Sequence, residues 1–207
     1  MRALGLAFRV EVSHIELQLP PGDDPCDPVP VAVAKVLDIA SALHSPTSII
    51  GADTIVVDGT DAVGKPVDAN HAVEMLMHLR GREHAVRTGV AIAAFGEIAT
   101  LEVSSPVRMR TFNRRTAQAY VATGEPLDCA GSYDARAGGA ALVEPVIGCL
   151  SAVVGFPVAA IAQLLQSHAG ISSRVGAYAA CEALCNAPCR ARDPKTAHGC
   201  VPTRVAH

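Results

Sequence analysis

Between Ser48 and Asp58 the chain reads as a nearly continuous run of apolar, largely β-branched residues with one carboxylate, Asp53, in its middle. Such a run is the mark of a strand buried on both faces, because its side chains leave no polar side to turn toward water. An ionised carboxylate in that setting costs several kcal/mol unless cations, a metal or hydrogen-bond donors offset it. Gly51 and Ala52 leave room for close approach just before it. Asp53 is therefore either the centre of a site or an aspartate bonded by nearby amides at the strand's end.

The surrounding pattern alternates strands with helices. Ala7 to His14 carries Phe8, Val10 and Val12 on one side, which suits a strand with one buried face. The segment Pro20 to Pro30, with five prolines and three aspartates, is a loop that ends in Asp27 as a helix N-cap and Pro28 as a first helical position. The helix predicted to follow runs to about Leu43 with Val33, Val36, Leu37 and Ala40 on its apolar face and Lys35 on another side. Asp68 caps a second helix, in which Ala72, Met75, Leu76 and Leu79 recur at helical spacing before Gly81. His84 to Phe95 and Ile98 to Met109 read as an antiparallel pair turning near Gly96, which makes the sheet of this α/β fold mixed. A third helix is expected from Asn113 to Thr123, and a buried one from Pro157 to about Ser167.

Composition narrows the function classes. With 207 residues and 50% hydrophobic content the chain supports one substantial core. A net charge of −3 gives no basic field for a nucleic-acid polymer, although a small anion held by a few local cations stays open. Of 17 basic residues only Lys35, Lys65 and Lys195 are lysines. Seven cysteines do not resemble a dense disulfide framework, and Cys26, Cys129 and Cys149, scattered through the globular part, read as free small hydrophobes in a chain whose default place is the cytoplasm. Pro145 to Gln166 lacks charge and is long enough to span a bilayer, but the Gly155, Phe156, Pro157 turn splits it into a short apolar strand and a buried helix, with no anchoring flanks. From Gly170 onward the texture turns to alanine, cysteine and basic residues, a tail (170–207) that is helical at most near Arg174 to Cys185. Cys181, Cys185 and Cys189 recur every four residues there, a spacing that fits no common zinc or iron-sulfur pattern.

Lys35 and Lys65 stand beside small or turn residues, where an ammonium can reach a phosphate, though each taken singly also suits a solvated surface lysine. Five blocks in order then carry a resemblance: IIGADTIVV at Ile49 to Val57, GKP at Gly64 to Pro66, AVEMLMHLRGREHAVRTGV at Ala72 to Val90, YVATGEPLDCAGSY at Tyr120 to Tyr133, and VVGFP at Val153 to Pro157. Together they resemble the Maf family of nucleoside triphosphate pyrophosphatases over residues 1–169. The resemblance implies a two-lobed mixed sheet flanked by helices, with the ligand in the cleft between lobes, and a protein that is often a homodimer. It implies hydrolysis of a nucleoside triphosphate, a pyrimidine or non-standard one, to the monophosphate and pyrophosphate with Mg²⁺ or Mn²⁺. Position by position, Asp53 matches the acidic residue that activates water and helps hold the metal, Thr54 a substrate-selecting position, and Lys35 and Lys65 the phosphate-binding lysines.

Three positions depart from the family pattern. No SxSPRR-like loop precedes Leu4 and Gly5, so the first strand is expected to be missing and two phosphate grips with it, which favours as an alternative a Maf-like domain that binds nucleotide or a protein without turnover. The acidic pair expected after the N-terminal strand is reduced to Glu16, a second metal-linked carboxylate. Arg136 stands where relatives carry Gln or Glu, and reads equally as a substrate contact or a solvated loop arginine. His84 matches a family position after Gly81 and reads as a hydrogen-bonded structural histidine.

Overall fold

The computed structural model describes residues 1–15, 23–43, 47–185, 189 and 201–203. Its backbone is organised around two strands of twelve residues each, β3 (Glu83–Ala94) and β4 (Glu97–Arg108), paired antiparallel from Glu83 opposite Arg108 to Ala94 opposite Glu97. Phe95 and Gly96 join them with φ of 54° and 83°, the positive pair that a tight two-residue hairpin requires. β1 (Ile49–Asp58) pairs antiparallel with the other side of β3, and β2 (Asp61–Val63) folds back across only its last three residues, Val56 to Asp58. A short strand β5 (Val201–Thr203) lies along β4, giving the order β2-β1-β3-β4-β5. All ladders among the described residues are antiparallel, so the parallel pair that would make the sheet mixed is not among them.

The two faces of the sheet are covered differently. On one lies α1 (Val29–Ala42), whose start is fixed by Asp27 accepting a 2.9 Å hydrogen bond from the Val29 amide. Two glycines bring this helix close: a Cβ on Gly89 would stand 2.7 Å from the Val29 nitrogen, and one on Gly51 would stand 2.7 Å from a Val36 methyl. Ala32 and Val36 bury against Ala91 there, while Leu37, expected on the apolar face, is 52% exposed.

The other face carries two separate cores along the same hairpin. Toward one end, α2 (Ala69–Leu79) and α3 (Arg114–Val121) pack Leu76, Leu79, Ala117 and Tyr120 on Val86, Val107 and Met109. Toward the other end, α4 (Leu150–Val153) and α5 (Val158–Ala169) pack Ala152, Ile161, Leu164 and Leu165 on Val90, Ile92, Leu101 and Val103. α6 (Ala177–Cys185) lies on α5 and α4 in turn. Between the cores the strands present hydroxyls instead of hydrocarbon: Thr54 on β1, Thr88 on β3 and Ser105 on β4. This seam divides the fold into two lobes that share one sheet, the α/β architecture expected from the sequence.

Three local expectations are corrected. Residues 7–14 form no strand, and Phe8, Val10 and Val12 are exposed, because alternation yields a strand only where a neighbour accepts its hydrogen bonds and covers one face. Ile49 to Ile55 is half-buried instead of buried on both faces, since among the described residues this stretch has a paired strand on one side only. The apolar residues before Gly155 form the helical turn α4, not a strand, an ambiguity that short apolar runs carry by nature. Among the described residues no helix is long and apolar enough to cross a membrane.

Candidate active site

The β-strand period of two sends Asp53 and Thr54 to opposite faces of β1, and this divides the predicted site residues into two groups. Asp53 points to the α1 face, opposite the side-chain-free Gly89. The seating of α1 on Gly51 and Gly89 carries Lys35 over the same spot: its Nζ donates to Asp53 Oδ1 at 2.7 Å and lies 3.4 Å from the Ala52 carbonyl oxygen. The pair is partly open, with the side chains 34% and 25% exposed, so the carboxylate is compensated by an ammonium while a small ligand can still reach it. Next in line across the sheet, Glu102 lies opposite Gly89 and takes two hydrogen bonds from Arg87, at 2.9 and 2.7 Å. Those bonds hold the Arg87 guanidinium more firmly in its charged form.

On the other face Thr54, Lys65 and Arg136 line one cavity of about 240 Å³, together with Val86, Tyr133 and Gly155. Thr54 forms part of its lining, and its Oγ1 is 2.8 Å from Thr88 Oγ1, which in turn donates to the Ala152 carbonyl at 2.8 Å. Lys65 stands at the rim on the loop between β2 and α2, its Nζ 2.5 Å from Asp128 Oδ1 with both side chains largely exposed. Arg136 is clamped by Asp134, which accepts from its Nε at 3.2 Å, its Nη2 at 3.0 Å and its own amide at 2.8 Å. Burial pushes the Asp134 carboxyl up, but the bonds and charge of Arg136 together outweigh it and leave the carboxyl below the usual carboxylate range.

Tyr133, another wall of the cavity, is fixed from behind by His84, whose Nε2 is 2.7 Å from the Tyr133 hydroxyl, with the rings edge to face at 5.5 Å. Burial lowers the His84 pKa to about 4, so the imidazole is neutral near pH 7, and its Nδ1 is buried with no hydrogen-bond partner among the described residues. The histidine supports the wall. The Thr54, Thr88, Ser105 seam is the element that reading the sequence missed; its signal was hydroxyls at face-matched positions in otherwise apolar strands. Glu16 lies outside the described residues. A larger cavity of about 480 Å³ borders Ile49 and Ile50 but is lined mainly by apolar groups such as Leu6, Leu43 and Phe156, and it gathers none of the predicted site residues. Among the described residues no three His, Cys, Asp or Glu side chains converge to hold a metal.

Comparison with known proteins adds chemistry to this geometry. The family described as Maf-like protein matches residues 1–168. The chain is 33% identical over 168 residues to a dTTP/UTP pyrophosphatase of Pelotomaculum thermopropionicum, covering 80% of this chain and 88% of that one. It is 38% identical over 173 residues to a dTTP/UTP pyrophosphatase of Desulfotalea psychrophila, with 82% and 88% covered. A dTTP/UTP pyrophosphatase of Bacillus cytotoxicus is 37% identical over 169 residues, with 80% and 87% covered.

Proposed function

Because the chain belongs to the Maf family, we propose that it is a nucleoside triphosphate pyrophosphatase that converts dTTP, UTP or a related pyrimidine nucleotide to the monophosphate and pyrophosphate. The observation that carries this reading is the half-open Lys35–Asp53 pair, one residue along β1 from the cavity that Thr54, Lys65 and Arg136 line. A base seated in that cavity leaves its phosphates to pass the side of β1 that lacks a paired strand among the described residues, toward Asp53.

Asp53 then accepts a hydrogen bond from the attacking water and orients it at the α-phosphate, and Lys35, 2.7 Å from that carboxylate, neutralises phosphate charge. Lys65 exchanges Asp128 for the phosphate tail. The Arg136 guanidinium suits the carbonyl oxygens of a pyrimidine, and Tyr133 and Val86 offer it apolar walls. The donor set also fits a divalent metal of the Mg²⁺ type, which binds through one or two carboxylates and the substrate's own phosphates and needs no closed protein cage. Asp53 supplies such a carboxylate, with Glu16 proposed as the second. The metal's contribution is to neutralise charge on the phosphates.

The test is pyrophosphate release from dTTP and UTP by the full chain with Mg²⁺ or Mn²⁺. Asp53→Asn is expected to lower kcat by about 10³-fold, the scale of a positioned general base. Absence of release across natural and modified triphosphates overturns the enzyme reading, and nucleotide binding without release identifies the chain as a Maf-like binding domain.

A further inference from the structure

The cysteines that the nucleotide reading leaves unused are gathered around one serine. Cys149 immediately precedes α4, Cys181 and Cys185 stand one turn apart on α6, and the packing of α6 against α4 brings the Cys149 and Cys181 sulfurs to Ser151. Cys149 Sγ lies 3.1 Å and Cys181 Sγ 3.3 Å from Ser151 Oγ. Cys149 and Cys181 thus share one hydroxyl partner, and Cys185 packs in the same cluster as Cys181. All three are free thiols, Cys181 buried and the other two partly exposed. Two sulfurs brought to one hydroxyl by segments distant in sequence are an arrangement from which a disulfide closes.

We propose that Cys149 and Cys181 are an oxidisable pair that links α4 to α6 through a disulfide when the protein meets a peroxide. Cys185 is the point of entry, since it is partly exposed at the last residue of α6 while Cys181, one turn back, is buried. Its hydrogen bond from Cys181 lowers its thiol pKa, whereas contact with Cys181 and burial raise that of Cys149. The Cys185 thiolate attacks a peroxide oxygen, the O–O bond breaks, and the sulfur is left as a sulfenic acid with release of one water. The Cys181 sulfur displaces the sulfenic oxygen as a second water and forms a bond to Cys185. Residues one helical turn apart keep their Cβ atoms about 5–6 Å from each other, beyond the roughly 3.5–4.5 Å of a relaxed disulfide. That link is strained, and the Cys149 sulfur, losing its proton, displaces Cys185 from Cys181 and restores the Cys185 thiol. Two thiols and one peroxide thus become one disulfide and two waters.

The location gives the bond a consequence. The Ala152 carbonyl on α4 accepts the Thr88 hydroxyl, and Val153, Val154 and Gly155 line the cavity that holds Thr54. A disulfide at Cys149 therefore fixes the segment that walls this cavity.

The experiment treats the full chain with hydrogen peroxide, blocks remaining thiols, digests with trypsin and maps linked peptides by mass spectrometry. Cleavage after Arg136, Arg174 and Arg190 isolates Cys149 on residues 137–174 and places Cys181, Cys185 and Cys189 on residues 175–190. The expected product joins these two peptides, reverses with dithiothreitol, disappears in Cys181→Ser, persists in Cys189→Ser and forms several-fold more slowly in Cys185→Ser. Alkylation of the untreated wild-type protein checks the entry point without any variant: Cys185 is expected to react before Cys149 and Cys181. No link, a link confined to residues 175–190, or a link to residues 137–174 that survives Cys181→Ser overturns the proposal.

Discussion

On the face of β1 that meets α1, Asp53 and Lys35 are held by a strand and a fourteen-residue helix, seated against each other through two glycines. Of the three predicted residues on the opposite face Thr54 alone belongs to a strand, while Lys65 and Arg136 reach the cavity from loops and each grips a neighbouring carboxylate. The difference separates two tasks. Groups that must meet a reacting phosphorus with sub-ångström tolerance gain from regular elements, whose side-chain positions are fixed by packing. Groups that grip a tail or face a base can ride on loops, where exchange of partners costs little. The α1 face is thus expected to govern turnover and the loop face affinity.

The largest test of that division after Asp53→Asn is Lys35→Met, which leaves the Asp53 carboxylate without its 2.7 Å partner. We expect kcat to fall by about 10- to 100-fold, the range of one charge-assisted hydrogen bond, with KM changed less. A rise in KM at unchanged kcat would place Lys35 in binding and dissolve the contrast between the faces. Pyrophosphate release measured over a range of dTTP concentrations decides it.

A test of comparable size concerns the wall of the loop face. His84 has a folded pKa of about 4 against an ordinary 6.5, so the unfolded chain binds the extra proton first as pH falls. Its contribution to stability is therefore whole above pH 6.5, declines as pH drops from 6.5 toward 4, and is gone below. The loss amounts to about 3 kcal/mol at one pH unit per 1.4 kcal/mol. Urea unfolding at pH 7 and pH 4.5 should show a smaller difference in His84→Gln than in wild type, and equal differences would contradict the assignment.

Much of this arrangement is legible in the sequence. The cap at Asp68 and the apolar spacing of α2 are local, and the structure has Asp68 accepting from the His71 amide at 2.7 Å. The Phe95, Gly96 turn is local as well. The pairing of Lys35 with Asp53 is not, because it depends on Gly89, which becomes the seat of α1 only in three dimensions. Phe8, Val10 and Val12 mislead for the same reason in reverse: their alternation is local, but the neighbour that would make it a strand is a tertiary fact. The seam of Thr54, Thr88 and Ser105 needs the register of three strands before it becomes visible.

The smallest effects belong to the rim. Lys65 and Asp128 are so exposed that their ion pair contributes little to stability, within about 1 kcal/mol. Lys65→Met is expected to raise KM for dTTP by about tenfold, the scale of one phosphate contact, and to leave the unfolding midpoint unmoved. Asp128→Asn works in the opposite sense: it frees the ammonium from its 2.5 Å partner and removes a negative charge from the path of an anionic substrate. KM should then drop by about twofold to threefold, and the gain should shrink at high salt, where exposed charges are screened. A higher KM in Asp128→Asn would mean that Asp128 holds Lys65 in the posture that meets the phosphates, making the rim a built element like the α1 face instead of a loose one.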